Sequence, residues 1–205
     1  KQIVNLWEKN IKPYKGTIYR QTTAKPEKNL FNKNNWVMNP ILNLQSLNPN
    51  LFGDLRNAID SKVFANISIC KGLKSIFSEK PKIVQSMYFE GNSATWEHQD
   101  SYYLDSEKTG EMTAGWLALE EIKADAGRFF ICPESHKIEH GKQNINNNIA
   151  DNHDKYINEI ISIIKSKNMK IKAPYMGIGD VLFWNSWTIH GSIDSQNKNF
   201  SRSSI

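Results

Sequence analysis

A chain of 205 residues with 39% hydrophobic and 23% charged side chains can bury a core of its own, and its longest apolar runs are far too short to span a bilayer. Its two cysteines, Cys70 and Cys132, lie outside any CxxC spacing, which excludes a zinc ribbon or disulfide scaffold and suits a reducing, cytoplasmic setting. The 26 basic and 21 acidic residues leave a charge of +5, but the Lys residues are scattered rather than gathered with aromatics, so nucleic acid is not an expected partner. The basic balance mildly favours an anionic small-molecule substrate; a general enrichment in Lys and Asn explains it equally well. No cleavable signal is visible in the opening residues, and a first residue of Lys rather than Met leaves a preceding segment and secretion open.

Residues 1–50 mix short apolar runs with Asn, Lys and Pro, which predicts turns and brief helices wrapped on the surface. From Asn50 to Phe77 the apolar residues recur at helical spacing, as in Leu51, Leu55, Ala58 and Ile59. The period then changes. Lys82 to Phe89, Thr113 to Leu119 and Phe129 to Cys132 are short and rich in Val, Ile, Tyr, Trp and Leu, and predict strands. An Asn-rich stretch, Gln143 to Asp151, predicts a mobile loop. His153 to Lys167 predicts a helix with Tyr156, Ile157, Ile160, Ile161 and Ile164 on one face. Strands are expected again at Met169 to Ala173 and Val181 to Trp184, with a turn at Gly177-Ile178-Gly179-Asp180 between them. Helices followed by many short strands suggest a sandwich or barrel with helices packed outside it.

Chemistry concentrates at Trp96-Glu97-His98-Gln99-Asp100. Residues two apart in extended chain point to one side, so His98 and Asp100 can converge. An imidazole and a carboxylate suit a borderline divalent metal such as Fe(II). His190 follows an apolar strand and precedes Gly191, which makes it the best third ligand. Two His and one carboxylate on one face leave the other coordination positions open. Arg202, twelve residues beyond His190, offers a guanidinium fork for an anionic co-substrate. An HxD tripeptide alone is common, and the surface pair His98–Asp100 is the competing interpretation.

The run from Gln85 to Arg202 resembles the phytanoyl-CoA dioxygenase family of Fe(II)/2-oxoglutarate oxygenases. The resemblance rests on His98-Gln99-Asp100-Ser101-Tyr102-Tyr103, Gly115-Trp116-Leu117-Ala118-Leu119 and Gly127-Arg128-Phe129-Phe130-Ile131-Cys132-Pro133-Glu134-Ser135-His136. It continues with Gly179-Asp180-Val181-Leu182-Phe183 and His190-Gly191-Ser192, and Arg202 closes the series. Two departures stand out. The family usually has a Gly in the turn where this chain reads Pro133-Glu134-Ser135-His136, and its members continue past the point three residues beyond Arg202.

The resemblance implies a mainly β fold with flanking helices, a double-stranded β-helix (jelly roll, cupin-like). It implies one oxygenase domain over residues 1–205, with a helical and irregular cover at 1–80. The jelly-roll core would occupy 81–205, with a helical insert near 153–167. His98, Asp100 and His190 would hold Fe(II) and serve as the catalytic centre. Arg202 and Ser192 would bind the distal carboxylate of 2-oxoglutarate, Trp116 would pack beside it, and Gln85 would hydrogen-bond its chelating end. The implied activity is 2-oxoglutarate- and O2-dependent hydroxylation of a small-molecule substrate, with release of succinate and CO2. Asp100 favours hydroxylation, because related halogenases place a small residue there. The alternatives are a non-catalytic jelly-roll binding module and a cupin-type metal enzyme that does not use 2-oxoglutarate.

Other candidates have blander explanations. His136 falls in a turn, while His140 and His153 flank the Asn-rich stretch as expected surface residues. Glu97 is expected on a strand surface and Asp180 in a turn. Trp184 and Trp187 are equally suited to core and pocket wall, and one of Tyr102 and Tyr103 can face substrate.

Overall fold

The computed structural model describes residues 1–77, 80–91, 94–138 and 149–205. Helix α1 (Gln2–Leu6) runs on into a wide turn at Trp7–Ile11. Ile3, Trp7 and Ile11 recur four apart, so one stripe of this segment faces inward and all three are buried. The Trp7 and Tyr88 rings stack in parallel, with centroids 3.7 Å apart. Around them gather Ile18, Val37, Ile41, Leu44, Leu55 and Ile59, which form the largest apolar cluster. The first fifty residues therefore build core, contrary to the expected surface wrapping. Their short apolar runs hid a stripe that only a partner sheet could reveal.

The helical stretch expected over 50–77 forms as two helices. In α2 (Pro49–Ile59), the Asn48 side chain accepts from the Asn50 amide and Pro49 occupies the first turn, where no amide partner is needed. In α3 (Ile67–Ile76), Asn66 accepts from the Ser68 and Ile69 amides, and this local capping starts a new helix.

Strands β1 (Ile18–Tyr19), β2 (Pro26–Glu27), β3 (Ile41–Leu42) and β4 (Met87–Tyr88) pair antiparallel as β1–β2 and β3–β4. A bridge from Arg20 to Ile41 links the two pairs. Ser204 then bridges Phe89 to Ala118, next to β6 (Thr113–Leu117), which pairs with β8 (Val181–Asn185). The second sheet is β5 (Thr95–His98), β9 (His190–Ser192) and β7 (Phe129–Ile131), in that order. Side chains cross between the sheets: Trp116 of β6 stacks on Phe129 of β7.

Two expected strands shrink. Lys82 to Phe89 pairs mainly at β4, with Ile83 and Val84 left exposed. Met169 to Ala173 makes only the bridge from Lys172 to Ile131. Both were legible as β-prone but lacked neighbours to pair with along their length. Helix α4 (Ile149–Ser166) starts four residues earlier than expected. Of the expected loop, residues 143–148 lie outside the described residues, as does His140. Helix α4 buries Tyr156 and Ile160 against Cys132 and Ile189; Ile163 and Ile164, rather than Ile161, complete that contact. Glu134 carries the left-handed φ of +68° in the turn where the family usually has Gly.

Candidate active site

The site is assembled by an irregularity between β5 and β9. Thr95 lies opposite Ser192 and His98 opposite His190, so three steps on β5 match two on β9. This bulge adds one residue to β5. Regular pairing would put Glu97 across from His190, whereas the bulge brings His98 there instead. Gly191 makes the close approach possible: a Cβ there would lie 2.7 Å from the Thr95 carbonyl oxygen and 2.8 Å from the Phe130 ring. The glycine thus admits the neighbouring strand, on the side of β9 away from the His190 side chain.

Beyond His98, Gln99 stays extended (φ −114°, ψ 134°), and Asp100 opens a short turn at Asp100–Tyr102. His98, Asp100 and His190 therefore converge, with one ligand atom from each within 4.8 Å of the others. Asp100 Oδ1 lies 3.3 Å from His190 Nε2 and 3.9 Å from His98 Nε2. Each imidazole is supported by the backbone carbonyl two residues before it. His98 Nδ1 meets the Trp96 carbonyl at 2.9 Å and His190 Nδ1 meets the Thr188 carbonyl at 2.8 Å. A carbonyl can only accept, so in each ring Nδ1 carries the proton and Nε2 offers a lone pair toward Asp100. The other carboxylate oxygen, Oδ2, accepts the Trp184 indole N–H at 2.8 Å. Two nitrogen lone pairs and one carboxylate oxygen, each braced from behind, are a donor set that fits a divalent metal.

Protonation favours the same chemistry. Burial, with His190 adding to it, pushes His98 down to about 4, which leaves it neutral and able to donate at neutral pH. Burial pushes the Asp100 carboxyl up, but His190, His98 and the Trp184 N–H together hold it below its ordinary value. At neutral pH the carboxylate is therefore ionised and His98 is neutral.

The remaining expected residues separate into two groups. Trp116, Ser192 and Arg202 gather around the start of β7. Trp116 stacks on Phe129 at 5.7 Å, and Phe129 in turn stacks on His190 at 5.4 Å. Ser192 pairs with Phe129 along the ladder, and its hydroxyl accepts the Thr95 amide at 2.9 Å. Arg202, 5% exposed, donates to the Gly127 carbonyl just ahead of β7. Burial pushes its guanidinium down to about 10, so it remains a cation at neutral pH. Gln85 stands apart, exposed two residues before β4.

Among the other candidates, Trp184 lines the centre, and Trp187 donates to Asp105 at 3.1 Å. Asp180 accepts the Gly177 amide within its turn, and His136 is exposed. His153 differs from expectation. It is not a free surface residue, because α4 directs its Nε2 to the Tyr103 hydroxyl, 2.7 Å away. Tyr156 of the same helix reaches the Gln99 amide. Its helical spacing marked it as core but carried no signal that the hydroxyl would serve the site.

A family model described as phytanoyl-CoA dioxygenase (PhyH) matches residues 14–204. The chain belongs to the phytanoyl-CoA dioxygenase family. A curated relative, a phytanoyl-CoA dioxygenase domain-containing protein 1 homolog of Caenorhabditis briggsae, is 31% identical over 80 residues. That match covers 37% of this chain and 28% of the relative, so the aligned part is less than a third of the relative's length. Among solved structures, iron-bound EctD from S. alaskensis has a TM-score of 0.64 at 15% identity, covering 98% of this chain and 64% of that one. SnoK, a non-haem α-ketoglutarate-dependent carbocyclase of nogalamycin biosynthesis, has a TM-score of 0.61 at 15% identity, covering 99% and 69%. These likenesses give the fold: the two sheets are those of the jelly roll that this PhyH family member was expected to adopt. Among the described residues, no helix is long and apolar enough to cross a membrane.

Proposed function

We propose that this family member is a non-haem iron, 2-oxoglutarate-dependent oxygenase that hydroxylates a small-molecule substrate. The observation carrying this reading is the His98–Asp100–His190 cluster, with both Nε2 atoms facing one carboxylate oxygen. EctD and the epimerase SnoN, which share the fold, have structures with Fe, and SnoN also with α-ketoglutarate. When bound, iron with 2-oxoglutarate and O2 supplies the oxidising power to convert a substrate C–H to C–OH, with release of succinate and CO2.

The chain's own groups do the rest. Trp184 holds Oδ2 of Asp100, which leaves Oδ1 for the metal. The Trp96 and Thr188 carbonyls fix the tautomers of His98 and His190. Arg202 would clasp the distal carboxylate of 2-oxoglutarate, with Ser192 beside it and Trp116 as an apolar wall that keeps water from the bound anion. Gln85, exposed on the approach to β4, is left as the least supported member of the set. Two free thiols, Cys70 and Cys132, suit a reducing, cytoplasmic compartment.

The test is succinate formation by the iron-loaded protein across a metabolite panel, with background 2-oxoglutarate decarboxylation read alongside. Asp100→Ala should abolish both. Arg202→Ala should raise the 2-oxoglutarate concentration required while leaving iron binding intact. Unchanged 2-oxoglutarate affinity in Arg202→Ala would instead support a cupin-type metal enzyme that does not use this co-substrate.

A further inference from the structure

The residue between the two neighbouring ligands is held more tightly than either ligand. Gln99 is 1% exposed. Its amide N–H donates to the Tyr156 hydroxyl at 2.8 Å, and its side-chain Nε2 donates to the Trp187 carbonyl at 2.6 Å. The first contact comes from α4, far along the chain, and the second from the turn between β8 and β9. Helix α4 is also docked by rings: Tyr102 stacks on Tyr156 at 3.7 Å, nearly parallel, and Tyr103 meets His153. The Gln99 carbonyl accepts the Tyr102 amide at 3.2 Å within the short turn, and the Gln99 amide N–H is held from α4 by the Tyr156 hydroxyl.

We propose that Tyr156 is a positioning residue for the metal centre: its hydroxyl fixes the Gln99 peptide and so the convergence of His98 and Asp100. His98 and Asp100 face the metal because Gln99 between them is extended and faces away. Rotation of the 98–99 peptide would carry the two ligand atoms apart. Because β5 ends at His98, the Gln99 amide on the far side of that peptide lies beyond the ladder. A buried amide without its acceptor would rotate to seek another, and the Tyr156 hydroxyl is the acceptor that holds it. The hydroxyl is suited to this task, since burial raises its pKa above the ordinary tyrosine value and keeps it protonated.

The inference rests on the metal assignment proposed above, and the experiment separates the two. Co(II) is titrated into the metal-free full chain, and affinity and the visible d–d spectrum are read. Tyr156→Phe keeps the ring on Tyr102 and removes the hydroxyl; it should weaken Co(II) binding about 10–100-fold and alter the spectrum. Tyr102→Leu removes the stacking and keeps the hydroxyl; it should lower Tm with Co(II) affinity unchanged. Parent-like Co(II) affinity in Tyr156→Phe overturns the proposal, as does an equal loss in Tyr102→Leu, which would assign the effect to helix docking. Failure of the parent to bind Co(II) would instead remove the metal centre itself.

Discussion

Two buried regions of this chain are held by opposite physics. Around Trp7 and Tyr88 the interior is aliphatic and aromatic, drawn from α1, α2, β3, β4 and the end of β6. Around His190 the interior is polar and directional, with Nε2, Oδ1, indole N–H and backbone carbonyl each in one role. Non-directional burial tolerates shifts of a few tenths of an ångström, while a ligand set does not. The first region therefore supplies stability, and the second brings His98, Asp100 and His190 together. Mutations should divide along the same line.

The largest expected effect is loss of function without loss of fold. His190→Ala removes a ligand atom, so divalent-metal binding measured by titration should vanish while Tm stays close to that of the metal-free parent. A collapse of the fold would show that the polar region is structural and break the contrast. Trp7→Ala should do the reverse, destabilising by about 3–5 kcal/mol in denaturant with metal stoichiometry of the folded fraction unchanged.

Gly191→Ala should affect both regions, because its methyl group would press on the β5 backbone and on Phe130. A stability loss of about 1–3 kcal/mol should accompany weaker metal binding, and retention of either property would mean that β5 can shift without moving His98. The smallest effect concerns an ion pair beside the apolar region, where Lys12 lies 2.8 Å from Glu90 and 2.7 Å from Glu8. Burial raises the Glu90 carboxyl above its ordinary value of 4.5, against Lys12 and the Val37 amide. The native state thus retains this proton to a higher pH than the unfolded chain. Glu90's contribution is full below pH 4.5 and is lost as pH rises through the native value. Glu90→Gln should flatten that part of the stability–pH curve, and an unchanged slope would show that another group titrates there.

The cluster of His98 and Asp100 was legible because its chemistry is local. An imidazole and a carboxylate two residues apart need only an extended Gln99 between them to face one point. The glycine turn before β8 and the capping of α2 and α3 are likewise encoded within a few residues, as is the apolar face of α4. What the sequence alone could not decide depended on distant partners. The bulge that sets His98, not Glu97, opposite His190 exists only once β9 pairs with β5. Trp184 was equally suited to core and pocket until β8 brought its N–H to Asp100, eighty-four residues away in sequence. His153 and Tyr156 looked like a surface residue and a core residue, and became contacts of the ligand segment when α4 docked. Spacing reports which side chains can share a face; which face meets which is decided by burial and pairing over the whole chain.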